Sequence, residues 1–230
     1  MMPDGWKYPA LAKPDSDGAY CYHVQRRISG WFSIRLARRI SPNAATGIDL
    51  ILGVASVALV LMDQWLLGVV FVQIFGIFSC IDGEIARIQN RSSKMGDYLD
   101  TMTDRLTELL LVGAVSFSLS TRVDSISALG AGFAFLGGVF LLATSSEKFR
   151  SVWNTAYPKR ELEKLFGFLC AGSDSRLLML STGLVVSELT GNASILLWLL
   201  RIWAVAMYVN FILRIWLIRR HFDREDTAEV

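Results

Sequence analysis

The sequence predicts an all-α polytopic membrane protein, six transmembrane helices preceded by an interfacial amphipathic helix. Three observations carry that prediction. Of 230 residues, 53% are hydrophobic, and the mean hydropathy is +0.41. Several windows reach the roughly 18 weakly charged residues that a bilayer crossing needs. The basic residues cluster beside those windows, so the formal net charge of +2 gives no reason to expect a nucleic-acid partner. Cys21, Cys80 and Cys170 are too widely spaced to read as a disulfide or metal framework.

Residues 1–22 are polar, contain Pro3, Pro9 and Pro14, and read as a flexible cytoplasmic tail with no cleavable signal peptide. Within residues 23–40, Ile28, Phe32, Leu36 and Ile40 recur at every fourth position beside Trp31. That is helical spacing. Arg26, Arg27, Arg35, Arg38 and Arg39 carry the charge, and their long stems can snorkel. A basic, partly apolar helix before a membrane span reads as interfacial. The blander alternative is a juxtamembrane connector that only anchors orientation. Ser41-Pro42-Asn43 ends the segment, with Asn43 the expected cap of the next helix.

Residues 41–220 form the expected six-helix domain, with spans near 44–62, 65–87, 96–119, 126–146, 176–189 and 194–218. Only Asp63 and Gln64 separate the first two, which makes a tight antiparallel hairpin. Residues 221–230 are a polar tail. Arg35, Arg38, Arg39, Arg91, Lys94, Lys148, Arg150, Lys159, Arg160, Lys164, Arg219 and Arg220 fall on one side. The opposite loops offer only Asp63, Arg122, Asp124 and Glu188. By the positive-inside rule both termini are cytoplasmic and the protein is integral to the cell membrane. Gly130, Gly132, Gly137 and Gly138 let the fourth span pack closely, within or between subunits. A homodimer is the expected assembly.

The remaining feature is acidic. Ser79-Cys80-Ile81-Asp82-Gly83-Glu84-Ile85-Ala86-Arg87 is followed by Gly96-Asp97-Tyr98-Leu99-Asp100-Thr101-Met102-Thr103-Asp104. A charge at mid-bilayer costs about 2.5–3.5 kcal/mol, so acids between apolar runs are candidate functional groups. Asp100 and Asp104 share one helix face, and Gly96 lies one turn earlier on it. Ser79, Asp82 and Ala86 form a second stripe. If the two helices face each other, the converging oxygens suit a hard divalent cation. An acid-lined site facing the cytoplasm is open to soluble nucleotides.

This pattern resembles the signature of the CDP-alcohol phosphotransferase (CDP-alcohol phosphatidyltransferase) family, Asp-x2-Asp-Gly-x2-Ala-Arg followed by Gly-x3-Asp-x3-Asp. Asp82, Gly83, Ala86, Arg87, Gly96, Asp100 and Asp104 match, and the family's first aspartate falls on Ser79. The resemblance runs from about Ser41 through the last hydrophobic segment. It implies an integral membrane transferase that moves a phosphoalcohol group from a CDP-alcohol donor to a hydroxyl acceptor and releases CMP. It further implies one or two divalent ions, Mg²⁺ or Mn²⁺. On that resemblance Asp82 and Asp100 are metal ligands, and Ser79 occupies a substituted ligand position. Asp104 is the general base and a further ligand. Gly83, Ala86 and Gly96 let cytidine and phosphates approach the helices, while Arg87 pairs with phosphate or braces the acids. Pro42, Asn43 and Thr46 help to form the nucleotide pocket.

Asp-Gly-Glu-Ile-Ala-Arg with Gly-x2-Leu-Asp-Thr-x2-Asp-Arg is most similar to one branch of that family. It makes di-myo-inositol phosphate phosphate from CDP-inositol and inositol phosphate. A phosphorylated acceptor needs an anion pocket, for which Lys148, Arg150, Arg176 and Arg214 are the candidates. Branches that make phospholipids from CDP-diacylglycerol share the same core and are the alternative. Ser79 also admits a catalytically weakened relative that binds CDP-alcohol without turnover. An ion or proton transporter could use intramembrane acids, but it has no need of the Gly-x2-Ala-Arg spacing. Asp49, three residues after Thr46, has two readings. It pairs with an arginine or headgroup water, or it faces the cluster as a compensating acid for Ser79.

Overall fold

The computed structural model describes residues 17–163, 165–166 and 172–226, and among these the secondary structure is helical with no strand. Residues 1–16 of the expected tail, Lys164, Cys170 and residues 227–230 lie outside the described residues. A single π-helical turn, Cys21–Gln25, leads into α1, Arg26–Leu36. Six long helices follow: α2, Pro42–Leu61; α3, Trp65–Ile88; α4, Lys94–Ser120; α5, Ser125–Trp153; α6, Ser173–Thr190; and α7, Ser194–Asp226. A short helix, Lys159–Leu162, lies between α5 and α6.

Local chemistry sets the boundaries. The cap of α2 is Ser41 and not Asn43: its Oγ accepts from the Ala44 N–H at 3.2 Å. Pro42 then takes the first helical position, where a missing N–H costs nothing. Ser93 opens α4 in the same way, accepting from the Gly96 N–H at 3.0 Å. The α2–α3 hairpin turns through Asp63 in a left-handed conformation, φ 58°, and the Ser118 hydroxyl donates to its carboxylate. The fourth and sixth helices run beyond the expected ends at 146 and 218. The α5 helix stops at left-handed Asn154, and α7 continues through part of the predicted C-terminal tail.

Four helices are long and apolar enough to cross a membrane: α2, α3, α5, and α7 over Ser194–Phe222. These are the marks of an integral membrane protein. The other two expected spans exist as helices but are less apolar. The α4 helix carries Asp97, Asp100, Asp104, Arg105 and Glu108, and the 18-residue α6 carries Asp174, Arg176 and Glu188. Glu108 and Arg176 pair inside the bundle, as intramembrane ions must, while Asp97 and Glu188 pair with arginines at the surface.

The helix α2 packs against both α3 and α4, which scarcely touch each other. The signature helices therefore stand apart with α2 as their common wall. Their buried core, with Val72 and Phe75 of α3 and Leu111 and Val115 of α4, continues into α5, α6 and α7. Close approach needs glycine at two points on α5. A Cβ on Gly132 would lie 1.9 Å from Ser116 Oγ, and one on Gly138 2.8 Å from Met207 Cβ. Gly130 faces open space and plays no such part.

The α1 helix ends at Leu36, short of the expected Ile40. Its small polar side chains, Ser29 and Ser33 beside Gly30, are buried against α3. Its predicted apolar stripe splits: Ile28, Trp31 and Phe32 are 40%, 54% and 41% exposed, whereas Leu36 and Ile40 pack on Ala37, Ala45, Ile81 and Ile85.

Candidate functional site

Two adjoining cavities lie between the signature helices. The smaller, about 110 Å³, is lined by Pro42, Asn43 and Thr46 of α2, Gly83, Ala86 and Arg87 of α3, and Gly96 of α4. Every residue expected at a nucleotide thus borders one space, joined there by Asp82, Asp100, Arg91, Ser92, Ser93 and Asp97. The first turns of α2 and α4 both reach this cavity. Helix N-termini present unpaired N–H groups and a positive dipole end, which favours phosphate. Gly96 and Gly83 keep the walls low, because any side chain there would project into the space.

The larger cavity, about 200 Å³, shares Gly83, Arg87 and Asp100 with the first and adds Ser79, Asp104, Arg105, Glu108, Lys159 and Arg176. Arg87 and Asp100 thus border both spaces. Asp82 is buried. Its Oδ2 accepts from the Thr46 hydroxyl at 2.7 Å and its Oδ1 from the Gly83 N–H. The Ser79 hydroxyl lies 3.2 Å from each oxygen of Asp104. Ser79 thus touches the acid one helix away, as the i, i+3 stripe on α3 requires.

Asp49 is buried on α2, and its Oδ1 has no hydrogen-bond partner. Asp104, Asp82 and Asp100 act on it electrostatically. An arginine partner is not what Asp49 meets. A buried carboxylate oxygen without a donor, beside three more carboxylates, has the donor chemistry of a hard divalent cation site. The acids nevertheless stand apart. Among the described residues no three His, Cys, Asp or Glu side chains gather closely enough to hold a metal ion. Thr46 and Ser79 instead occupy oxygens of Asp82 and Asp104.

The four cations expected to hold an acceptor phosphate do not gather. Arg176 lines the larger cavity and is joined to Glu108 through Nε at 2.6 Å and Nη2 at 3.0 Å. Lys148 borders a separate apolar groove with Phe140, Phe149 and Trp153. Arg150 pairs with exposed Asp97 at 3.2 Å. Arg214 does not line the cavity. It is fully buried against Glu163, the Leu142 carbonyl and Ser146, with Tyr157 under its guanidinium. Two cations that the sequence marked only as a loop charge, or not at all, stand in the cavity instead: Lys159 and Arg105. Burial, and then Arg214, Arg176 and Arg105, push the Lys159 ammonium down to about 8. Arg105 and Arg176 share one carboxylate, Glu108.

The N-terminal segment closes the larger cavity. Arg26 makes a two-pronged pair with Asp17, at 2.9 and 3.0 Å, and also donates to Glu84 at 3.0 Å. Ser29 and Ser33 donate to the same Glu84 carboxylate at 2.8 and 2.6 Å. Sequence reasoning passed over Glu84 although it lies inside the signature.

Comparison with known proteins adds three findings. The family model described as CDP-alcohol phosphatidyltransferase matches residues 39–157. A bifunctional IPC transferase and DIPP synthase of Thermococcus kodakarensis is 33% identical over 141 residues, covering 61% of this chain and 32% of that protein. Its namesake from Aquifex aeolicus is 31% identical over 153 residues, 66% of this chain and 35% of that protein. The chain spans about a third of the length of these two relatives. A phosphatidylinositol phosphate synthase of Corynebacterium glutamicum is 34% identical over 93 residues, 40% of this chain and 42% of that protein. Among solved structures, the phosphatidylinositol phosphate synthase of Mycobacterium tuberculosis with CDP-DAG bound superposes with a TM-score of 0.68. It covers 84% of this chain and 94% of that chain at 19% identity, a likeness of fold.

Proposed function

The chain belongs to the CDP-alcohol phosphatidyltransferase family, and from that premise we propose that it transfers a phosphoalcohol group from a CDP-alcohol to a hydroxyl acceptor, releasing CMP. The observation that carries this reading is that the two cavities share Gly83, Arg87 and Asp100 in their walls. A diphosphate held in the smaller one would reach an acceptor held in the larger.

In this reading the helix N-termini at Pro42 and Ser93 and the Arg87 guanidinium hold the diphosphate, while Thr46 keeps Asp82 in place. Asp82, Asp100 and Asp104, with Asp49 behind them, supply the carboxylates that would hold one or two divalent ions, Mg²⁺ or Mn²⁺, only if drawn closer together than they stand here; the ions' charge would offset that of the diphosphate. Asp104 takes the proton from the acceptor hydroxyl as it attacks phosphorus in line with the departing CMP. Ser79 orients Asp104 through its hydroxyl. Lys159, Arg105 and Arg176 receive an anionic group on the acceptor, a phosphate in the inositol-phosphate branch. The longer relatives named for DIPP synthesis support that acceptor.

The proposal extends to placement. Residues 41–220 would form the catalytic unit with both termini and the site facing the cytoplasm, and two copies would pair. The outward Ile28, Trp31 and Phe32 support an α1 lying in the membrane interface. A second reading, a phospholipid synthase using CDP-diacylglycerol, has the Corynebacterium relative in its favour. Purified protein offered CDP-inositol or CDP-diacylglycerol, each with inositol phosphate, separates the two. CMP from CDP-inositol alone supports the first, CMP from the lipid donor alone the second, and none from either sinks both.

A further inference from the structure

Cys21 and Cys80 meet where the N-terminal segment docks on α3. Their sulfurs lie 3.6 Å apart. Both cysteines are buried, both thiols are free, and both line the larger cavity. Cys21 belongs to the π-helical turn, and its backbone N–H donates to Asp174 at 2.8 Å. Cys80 follows Ser79, whose hydroxyl bonds Asp104. Nothing in the transfer chemistry uses either sulfur. A disulfide needs the sulfurs at about 2.05 Å, so closure by about 1.5 Å would make the bond. The π turn, with α1 behind it, is one short element that can supply that movement.

We infer that Cys21 and Cys80 are an oxidative modification site, at which a peroxide entering the cavity forms a disulfide that clamps the N-terminal segment to the signature helix and slows turnover. One sulfur attacks a peroxide oxygen and the O–O bond breaks, leaving a sulfenic acid and an alcohol or water. The second sulfur then displaces the sulfenic oxygen as water, and the S–S bond forms. The pair gives up two electrons and two protons, and the peroxide takes up both. Closure pins the π turn to Cys80, next to the Ser79 that holds Asp104. Pairs of this kind inside reducing compartments are characteristically transient and regulatory.

The test uses the full chain in detergent, reduced with dithiothreitol, freed of it and exposed to hydrogen peroxide. Of the three cysteines in the sequence, the expected result leaves one titratable thiol after denaturation. A non-reducing peptide map then joins Cys21 to Cys80. CMP release falls several-fold, dithiothreitol restores it, and Cys21→Ser makes the rate indifferent to peroxide. A thiol count that stays at three, or a bridge to Cys170 or to a second chain, overturns the site. A Cys21–Cys80 bridge that leaves the rate of an active chain unchanged overturns the clamp. The rate measurement rests on the transferase reading and the peptide map does not. A bridge in a chain that releases no CMP in either state therefore sinks that reading and leaves the site standing.

Discussion

Asp104 meets Ser79 where the family has an aspartate. A hydroxyl 3.2 Å from both carboxylate oxygens steers that acid without adding charge. With Asp104 as base, Asp104→Asn is expected to cut CMP release by about 10²–10⁴ while CDP-alcohol affinity by calorimetry holds. Equal losses in rate and affinity would make it a metal ligand instead. Asp49, with its unpartnered buried oxygen, is the acid available to replace the missing one. Asp49→Asn should therefore damage Mg²⁺-dependent CMP release as much as Asp100→Asn does. Ser79→Asp should lower activity by adding like charge to the cluster. A harmless Asp49→Asn with an activating Ser79→Asp would show that nothing compensates. Burial and the neighbouring arginines push Lys159 down to about 8, so its charge is expected to be lost as pH rises through that value. KM for a phosphorylated acceptor should rise between about pH 7 and 9. Lys159→Gln should flatten that profile and raise KM at the lower pH roughly tenfold or more, the worth of a hydrogen bond to a charged group. An unchanged profile would remove Lys159 from the acceptor site.

At the scale of elements, the docking of α1 on α3 rests on Glu84. Glu84→Ala would leave Arg26 with Asp17 and the Cys80 carbonyl, and Ser29 and Ser33 without their acceptor. Leaving a buried hydroxyl without its acceptor costs about 1–3 kcal/mol. A clear fall in unfolding temperature is expected, with proteolysis beginning in the N-terminal segment. An unchanged unfolding temperature would contradict that account. The signature helices were legible because their pattern is local: residues three and four apart share a face whatever surrounds them. The inward face of α1 was not legible, since Glu84 lies 51 residues from Ser33 and 58 from Arg26. The same holds for Arg214, whose partner Glu163 is 51 residues away in a polar connector. The periodicity of α1 marked its apolar stripe, but the serines between decided which side meets the protein.

For the whole molecule, hydropathy identified the four most apolar helices and the positions of the other two. Most of the charges that make α4 and α6 less apolar line the cavities: Asp97, Asp100, Asp104, Arg105, Glu108, Asp174 and Arg176. The nucleotide-side residues came together because three short motifs, at 42–46, 82–87 and 96–100, open onto one space. The acceptor-side candidates Lys148, Arg150 and Arg214 share a predicted membrane side but not a cavity. Spacing alone could not reveal that Lys159 returns to the site from the connector after α5. The central claim is that a donor in one cavity reacts with an acceptor in the other. It is tested most directly by CMP formation from CDP-inositol, measured with and without inositol phosphate, in Mg²⁺ and again after chelation. The account predicts CMP only when donor, acceptor and divalent ion are all present, with one phosphodiester formed per CMP. CMP formed equally without acceptor, or undiminished by chelator, would contradict it.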